Sequence, residues 1–178
     1  MSGSRVVSVA TLIVAVAVGC GSADGRQAGR SSAPRIEGVQ TFQVTSRDHV
    51  KGNIDYSQDP PVGGPHNPVW QNCGFYSEPV PKETAVHSME HGAVWITYAP
   101  DLPADQIEAL KALARRPYVL VTPYAHLPAP VVASAWGKQL QVDGTADPGL
   151  EAFVEEFANG PQTPEPGAPC TLGVGDPE

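Results

Sequence analysis

Residues 93–122 have the sequence AVWITYAPDLPADQIEALKALARRPYVLVT, and this stretch decides the fold. It opens with β-branched and aromatic residues, a composition typical of a buried strand. A helix follows, because Asp101 and Pro103 form a start signal and apolar residues then recur on one stripe until Pro117 stops the helix. Residues 118–122 are again β-branched and apolar. The stretch therefore predicts a strand, a helix and a second strand in succession.

The flanking segments add further elements to this unit. Residues 39–44 (VQTFQV) alternate apolar and polar side chains, which predicts a strand, and residues 131–140 (VVASAWGKQL) predict another. Asp147 and Pro148 form the cap and first position of a second helix. This order predicts an α+β fold, in which two or three helices pack on one face of a small mixed or antiparallel sheet. With 19 prolines and 18 glycines, long irregular loops are expected between the elements.

The N-terminal segment predicts export. Residues 6–19 are almost wholly apolar and follow Arg5, and this run is shorter than the ~20 residues that span a bilayer. It matches the core of a signal peptide over residues 1–19. The preceding Ala-Val-Gly makes Cys20 resemble the acylated cysteine of a bacterial lipoprotein. We expect an extracytoplasmic protein that is lipid-anchored to the cell membrane, the alternative being simple cleavage and secretion.

The remainder divides into a tether and one domain. Residues 20–36 are small and polar, as in a flexible tether, and residues 37–178 are long enough for a single globular domain with a Pro-rich C-terminal tail. The formal net charge of −8 argues against a nucleic-acid partner and leaves the lipid anchor as the predicted membrane contact. No protein partner is indicated.

Two cysteines remain once Cys20 is set aside. In an oxidising compartment Cys73 and Cys170 are expected to form a disulfide, which would tie the Pro-rich tail to the body of the domain. The alternative is that the two thiolates bind a metal ion, although neither cysteine lies in a Cys-x-x-Cys motif.

Residues 86–95 (VHSMEHGAVW) contain the strongest chemical signal in the chain. His-x-x-Glu-His is a spacing that zinc hydrolases use for two imidazole ligands and a catalytic carboxylate. Pro81 and Gly92 bound a predicted helix, since proline favours the first turn and glycine the end. At 100° per residue one side of that helix carries Glu83, His87, Glu90 and His91. If the segment were a strand, Met89 would share a face with both histidines, a set that favours copper.

Two more histidines lie in segments that can reach this helix. His66 is held in the turn GGPHNP, and His49 lies in the sequence RDHVKG. Because structural zinc takes four ligands and catalytic zinc three, the two helix histidines need such additions. We expect a copper or zinc site formed by His66, His87, His91 and Glu90, with His49 as a possible additional ligand.

Two other functions fit the same residues. One is a zinc-dependent hydrolase in which Glu90 acts as general base, and its helical candidates for a further acidic ligand are Glu155 and Glu156. The other is a non-metal binding or scaffold module, in which the histidines and Glu90 hydrogen-bond one another to fix the long loop. The small, Pro-rich domain favours a binding protein over an enzyme.

Four ordered stretches are similar to a bacterial family of exported proteins known as a domain of unknown function, number 3105. They are HVKGNIDYSQDPPVGGPHNPVWQNCGFY, AVHSMEHGAVWITYAPDLP, ASAWGKQL and PEPGAPC, and the resemblance covers residues 37–170. The family's His-Ser-x-Glu-His-Gly pattern maps onto His87, Ser88, Glu90, His91 and Gly92. Its Pro-Pro-x-Ser-Gly-x-His pattern maps onto Pro60, Pro61, Gly63, Gly64 and His66, with Gly63 where serine is more common. The resemblance implies an exported, often membrane-anchored domain and brings no established activity.

Overall fold

The computed structural model describes Gly3 and residues 36–178. The predicted signal peptide, the lipidation site at Cys20 and the tether up to residue 35 lie outside the described residues. The elements, in chain order, are β1 (Gln40–Thr41), β2 (Gly74–Phe75), α1 (Lys82–Glu90), β3 (Val94–Tyr98), α2 (Ala104–Leu113), β4 (Val119–Pro123), β5 (Val131–Ala135), β6 (Lys138–Val142) and α3 (Pro148–Phe157).

A mixed six-stranded sheet organises the described part of the chain, in the order β1-β6-β5-β3-β4-β2. Strands β3 and β4 are parallel and joined through α2, so the stretch 93–122 lies at the centre of the sheet, as a parallel pair requires a crossover connection. Strand β5 pairs antiparallel with β3 and with β6. The predicted α+β class with a mixed sheet and three helices is confirmed.

Two strand predictions differ from the structure. Residues 131–140 do not form one strand, because β5 and β6 make a hairpin that turns at Trp136 and Gly137, where the glycine has φ +68°. Residues 39–44 pair with β6 only at Gln40 and Thr41. The same residue pattern is expected for one long strand and for two short strands joined by a turn. The pattern therefore cannot show where the chain reverses direction in a hairpin.

The helices lie on both faces of the sheet, which corrects the prediction that they share one face. Alternate residues of a strand point to opposite faces. Val94 and Ile96 pack with α2 and α3 in one apolar cluster, and Trp95 packs with α1 in a second cluster. The second cluster also contains Met89 of α1 and Trp136 from the hairpin turn. Helix α1 therefore has its own core, separate from that of α2 and α3.

The C-terminal tail returns to the sheet and is covalently fixed there. Cys73 and Cys170 form the expected disulfide, with their Cα atoms 5.4 Å apart and a sequence separation of 97. Because both sulfurs are engaged in the bridge, the alternative of two thiolate metal ligands is wrong. The Cys73 amide also donates to the Cys170 carbonyl at 2.7 Å, which aligns the tail with the segment before β2. A disulfide is compatible with an extracytoplasmic protein.

Among the helices of the described residues, none has the length and hydropathy needed to cross a bilayer.

Candidate metal site

Helix α1 is the platform of the site, and the helical interpretation of the His-x-x-Glu-His stretch is confirmed. It runs from Lys82 to Glu90, one residue after Pro81, and ends before Gly92, whose φ is +108°. A Cβ on Gly92 would lie 2.9 Å from the Asn159 Cα, so glycine is required there both by conformation and by space. Met89 is fully buried in the apolar cluster beneath the helix, and the strand alternative, with its thioether ligand, is wrong.

The polar side of α1 is also buried, because the loop over residues 48–66 and the C-terminal tail around Glu165 cover it. Backbone hydrogen bonds bring the loop into register: the His66 amide donates to the Asp48 carbonyl at 2.9 Å, and the Val50 amide donates to the His66 carbonyl at 2.7 Å. Glu83 was predicted on the same side of the helix as the candidate ligands. Its carboxylate accepts a hydrogen bond from the Ile54 amide of the loop at 3.0 Å. These contacts set His49 and His66 side by side over the helix.

Four side chains converge beneath this loop. One donor atom from each of His49, His66, His87 and Glu90 lies within 4.8 Å of the corresponding atoms of the other three. The Glu90 Oε2 atom is 2.9 Å from the His66 Nε2 atom and 3.6 Å from the His49 Nε2 atom. His66, His87 and Glu90 are buried, whereas the His49 side chain is 48% exposed. This group could hold a metal ion.

His91 lies beside this group and is not a member of it. Its Nε2 atom is 3.0 Å from the His87 Nε2 atom and 3.8 Å from the Glu165 Oε2 atom. The sequence predicted His91 in the ligand set with His66 and gave His49 only as a possible additional ligand. In the structure the loop brings His49 next to Glu90, and His91 instead faces the C-terminal tail at Glu165 and Pro169.

Glu165 was not predicted at all. The helical acids considered instead do not approach the histidines: Glu155 lies 3.7 Å from Arg116, and Glu156 is exposed on α3. Glu165 lies in the Pro-rich tail five positions before Cys170, and its amide donates to the Glu90 carbonyl at 3.1 Å. The disulfide brings this part of the tail back to the domain. The predicted pairing of Cys73 with Cys170 was therefore the sequence feature that could have indicated Glu165.

Backbone carbonyls orient the three buried imidazole rings. The Nδ1 atoms of His66, His87 and His91 lie 2.8, 2.6 and 2.7 Å from the carbonyl oxygens of Gly64, Asn67 and Pro169, respectively. A carbonyl oxygen can only accept, so each Nδ1 carries the hydrogen and each Nε2 of a neutral ring presents a lone pair. Histidines that bind metals are held in the same way, with the second ring nitrogen donating to a carbonyl or carboxylate.

The surroundings of His87 favour its neutral form. Burial lowers the pKa of His87 to about 4, the hydrogen bond to the Asn67 carbonyl opposes this shift, and the neighbouring rings of His91, His66 and His49 lower the pKa further. The ring is therefore neutral in neutral solution. The Glu90 side chain is buried beside these rings, and the nearest lysine or arginine nitrogen among the described residues is the Arg47 Nη1 atom, 3.9 Å from the Glu90 Oε1 atom. A buried carboxylate is costly unless a cation accompanies it.

The site opens to solvent on one side. A groove of about 410 Å³ is lined by Glu90, His49, Glu165 and the segment from Thr45 to Asp48. Trp70 covers the other side, with its ring centroid 4.9 Å from that of His91. Glu90 is one of the four side chains whose donor atoms converge, so it is placed where a metal ligand would lie.

Comparison with known proteins identifies one family. No curated protein and no solved structure matches this chain. Residues 49–172 match the family described as "Protein of unknown function (DUF3105)". The matched segment begins at His49 and includes His66, α1 and the tail through Cys170, so it contains every side chain of the site. The chain belongs to this family of proteins of unknown function.

Proposed function

We propose that this protein binds a transition metal ion, zinc or copper, through the Nε2 atoms of His49, His66 and His87 and the carboxylate of Glu90. The observation that carries the proposal is the fixed orientation of the buried rings. His66 and His87 each donate through Nδ1 to a backbone carbonyl, which leaves Nε2 for a metal ion. The His66 Nε2 atom lies 2.9 Å from the Glu90 Oε2 atom, and the donor atoms of all four side chains lie within 4.8 Å of one another. Imidazole nitrogen with one carboxylate oxygen is a donor set that suits zinc and copper.

The spacing of the donor atoms supports this function. Two ligands at about 2.1 Å from a tetrahedral zinc ion are about 3.4 Å apart. The distances from the Glu90 Oε2 atom to His66 and His49, 2.9 and 3.6 Å, lie on either side of this value. The largest separation in the group, 4.8 Å, exceeds it. Side-chain movements that shorten the longer separations by about 1 Å supply the difference.

Metal retention tests the proposal directly. The purified full-length protein is stripped with a chelator, incubated with one equivalent of Zn²⁺ or Cu²⁺, dialysed, and assayed for metal by mass spectrometry. We expect about one equivalent in the wild type and less than about a tenth in the double variant His66→Asn/His87→Asn. Asparagine keeps an N–H for the backbone carbonyl and lacks the Nε2 lone pair. His126→Asn is the matched control, since His126 is exposed and has φ +58°, which asparagine tolerates.

The competing function is a scaffold in which the cluster only fixes the loop. The observation in its favour is that 2.9 Å is also an ordinary hydrogen-bond length between an imidazolium and a carboxylate. This alternative predicts a wild-type protein that retains no metal, together with a large loss of stability in His66→Ala as buried partners lose their hydrogen bonds. A wild type with less than about a tenth of an equivalent would refute the metal-binding proposal and leave the scaffold in its place.

We also propose that the protein is exported by residues 1–19 and held at the outer face of the cell membrane by an acylated Cys20. The apolar run, the cysteine that follows it and the disulfide of the domain support this. Cells fed an alkyne-bearing fatty acid should label the wild type, and Cys20→Ser should be unlabelled and leave the membrane fraction. Equal labelling of both proteins would contradict the anchor.

A further inference from the structure

Next to the proposed metal ion, on the side that faces the C-terminal tail, His87 and His91 bring two imidazole nitrogens together. The His87 and His91 Nε2 atoms are 3.0 Å apart, and both rings donate through Nδ1 to carbonyls, of Asn67 and Pro169. Because each Nδ1 donates to a carbonyl, the two Nε2 atoms are the ring nitrogens that face each other. Either a shared proton or a metal ion joins two such nitrogens, and the chemistry around them decides between the two.

A carboxylate lies beside this pair. The Glu165 Oε2 atom lies 3.8 Å from the His91 Nε2 atom, and Glu165 is held there by the hydrogen bond from its amide to the Glu90 carbonyl. The His87 and His91 side chains are buried, and the Glu165 side chain is 51% exposed toward the groove.

The two positions have the same composition. In the first, Glu90 Oε2 is 2.9 Å from His66 and 3.6 Å from His49. In the second, His91 Nε2 is 3.0 Å from His87 and 3.8 Å from Glu165. If His87 is assigned to the second position, each is a set of two imidazoles and one carboxylate, with one close contact and one longer one. Sites with two neighbouring metal ions are commonly built from such adjoining sets.

We propose that His87, His91 and Glu165 form a second metal position, so that the protein takes two zinc or copper ions. The inference rests on the metal-binding function proposed above and extends it. His87 is the shared residue: its single Nε2 lone pair completes the first position when one ion is bound and belongs to the second when two are bound. The first ion therefore binds more tightly than the second, because the second removes a ligand from the first.

Calorimetric titration of the chelator-stripped full-length protein with Zn²⁺ tests this. We expect about two equivalents in the wild type, with the second weaker, and about one in His91→Asn and in Glu165→Gln. The retained equivalent should have close to the affinity of the wild-type first step, since neither His91 nor Glu165 is a ligand of the first ion. His126→Asn and Glu156→Gln, both at exposed positions away from the site, should keep both equivalents.

Electron paramagnetic resonance of the copper-bound protein gives an independent measurement. With excess Cu²⁺, the wild type should show the half-field signal of two coupled ions, and His91→Asn should show the spectrum of an isolated ion. A wild type that binds one equivalent, or a His91→Asn variant that loses the tight first step, would overturn the second position while metal binding stands. A wild type that binds no metal overturns the proposed function itself.

Discussion

The Cys73–Cys170 disulfide provides the sharpest quantitative prediction for the fold. It closes a segment with a sequence separation of 97 and is the covalent attachment of the tail to the sheet. In the chain-entropy model a loop of this length restricts the unfolded chain enough to stabilise the native state by about 4 to 5 kcal/mol. We therefore expect Cys73→Ala/Cys170→Ala to lose about that much free energy of unfolding.

Urea unfolding followed by far-UV circular dichroism measures this loss. With a slope of about 2 kcal/mol per molar urea, the midpoint should fall by about 2 M. A decrease in unfolding free energy smaller than about 1 kcal/mol would refute the reasoning, because the cross-link would then not constrain the unfolded chain.

Hydrogen exchange separates loss of the tail from general destabilisation. In the double cysteine variant the amides of Glu165 and Val174, which donate to the carbonyls of Glu90 and Trp70, should exchange much faster than the amides of β3 and β4. Leu150→Ala is the matched control: Leu150 is buried among the apolar residues of α3, and its truncation costs about 2 to 5 kcal/mol without touching the tail. If both variants accelerate the two tail amides equally, the tail is not held by the bridge.

Three further predictions concern the site and its platform. In Glu90→Gln the side-chain amide can donate an N–H to the His66 Nε2 atom, so the unfolding free energy of the metal-free protein, measured by urea titration, should change by less than about 1 kcal/mol. Zinc affinity, measured by calorimetry, should fall about tenfold or more. A loss of stability without a loss of affinity would contradict the proposed role of Glu90 as a ligand. Zinc at 100 times its dissociation constant should add about 2.7 kcal/mol to the unfolding free energy and raise Tm by about 6 to 10 °C, reversibly with chelator, as scanning calorimetry would show. A shift below about 2 °C counts against binding to the native state. Gly92→Ala should lower the unfolding free energy by about 1 to 3 kcal/mol, because of its positive φ and the contact with Asn159, and an unchanged urea midpoint would show that the backbone adjusts.

Local signals in the sequence determined the elements that position the site. The unit over residues 93–122, the bounds of α1 between Pro81 and Gly92, and the Asp147 cap of α3 were all predictable, because caps, proline and apolar periodicity act on the backbone within a few residues. The histidine pair at i and i+4 was visible for the same reason, since helix geometry fixes it.

Only the tertiary structure decided which side chains meet. The same alternation of residues can be one strand or a hairpin, and the sequence did not show that α1 takes the face of the sheet opposite to α2 and α3. His49 joins the cluster through the backbone contacts of the loop at residues 48, 50 and 66, and Glu165 comes beside His91 because the tail returns through Cys170. These contacts join residues far apart in the chain, and no short-range pattern encodes their distances. The sequence therefore determined the helix that presents His87 and Glu90, and the loop and tail determined which side chains surround them.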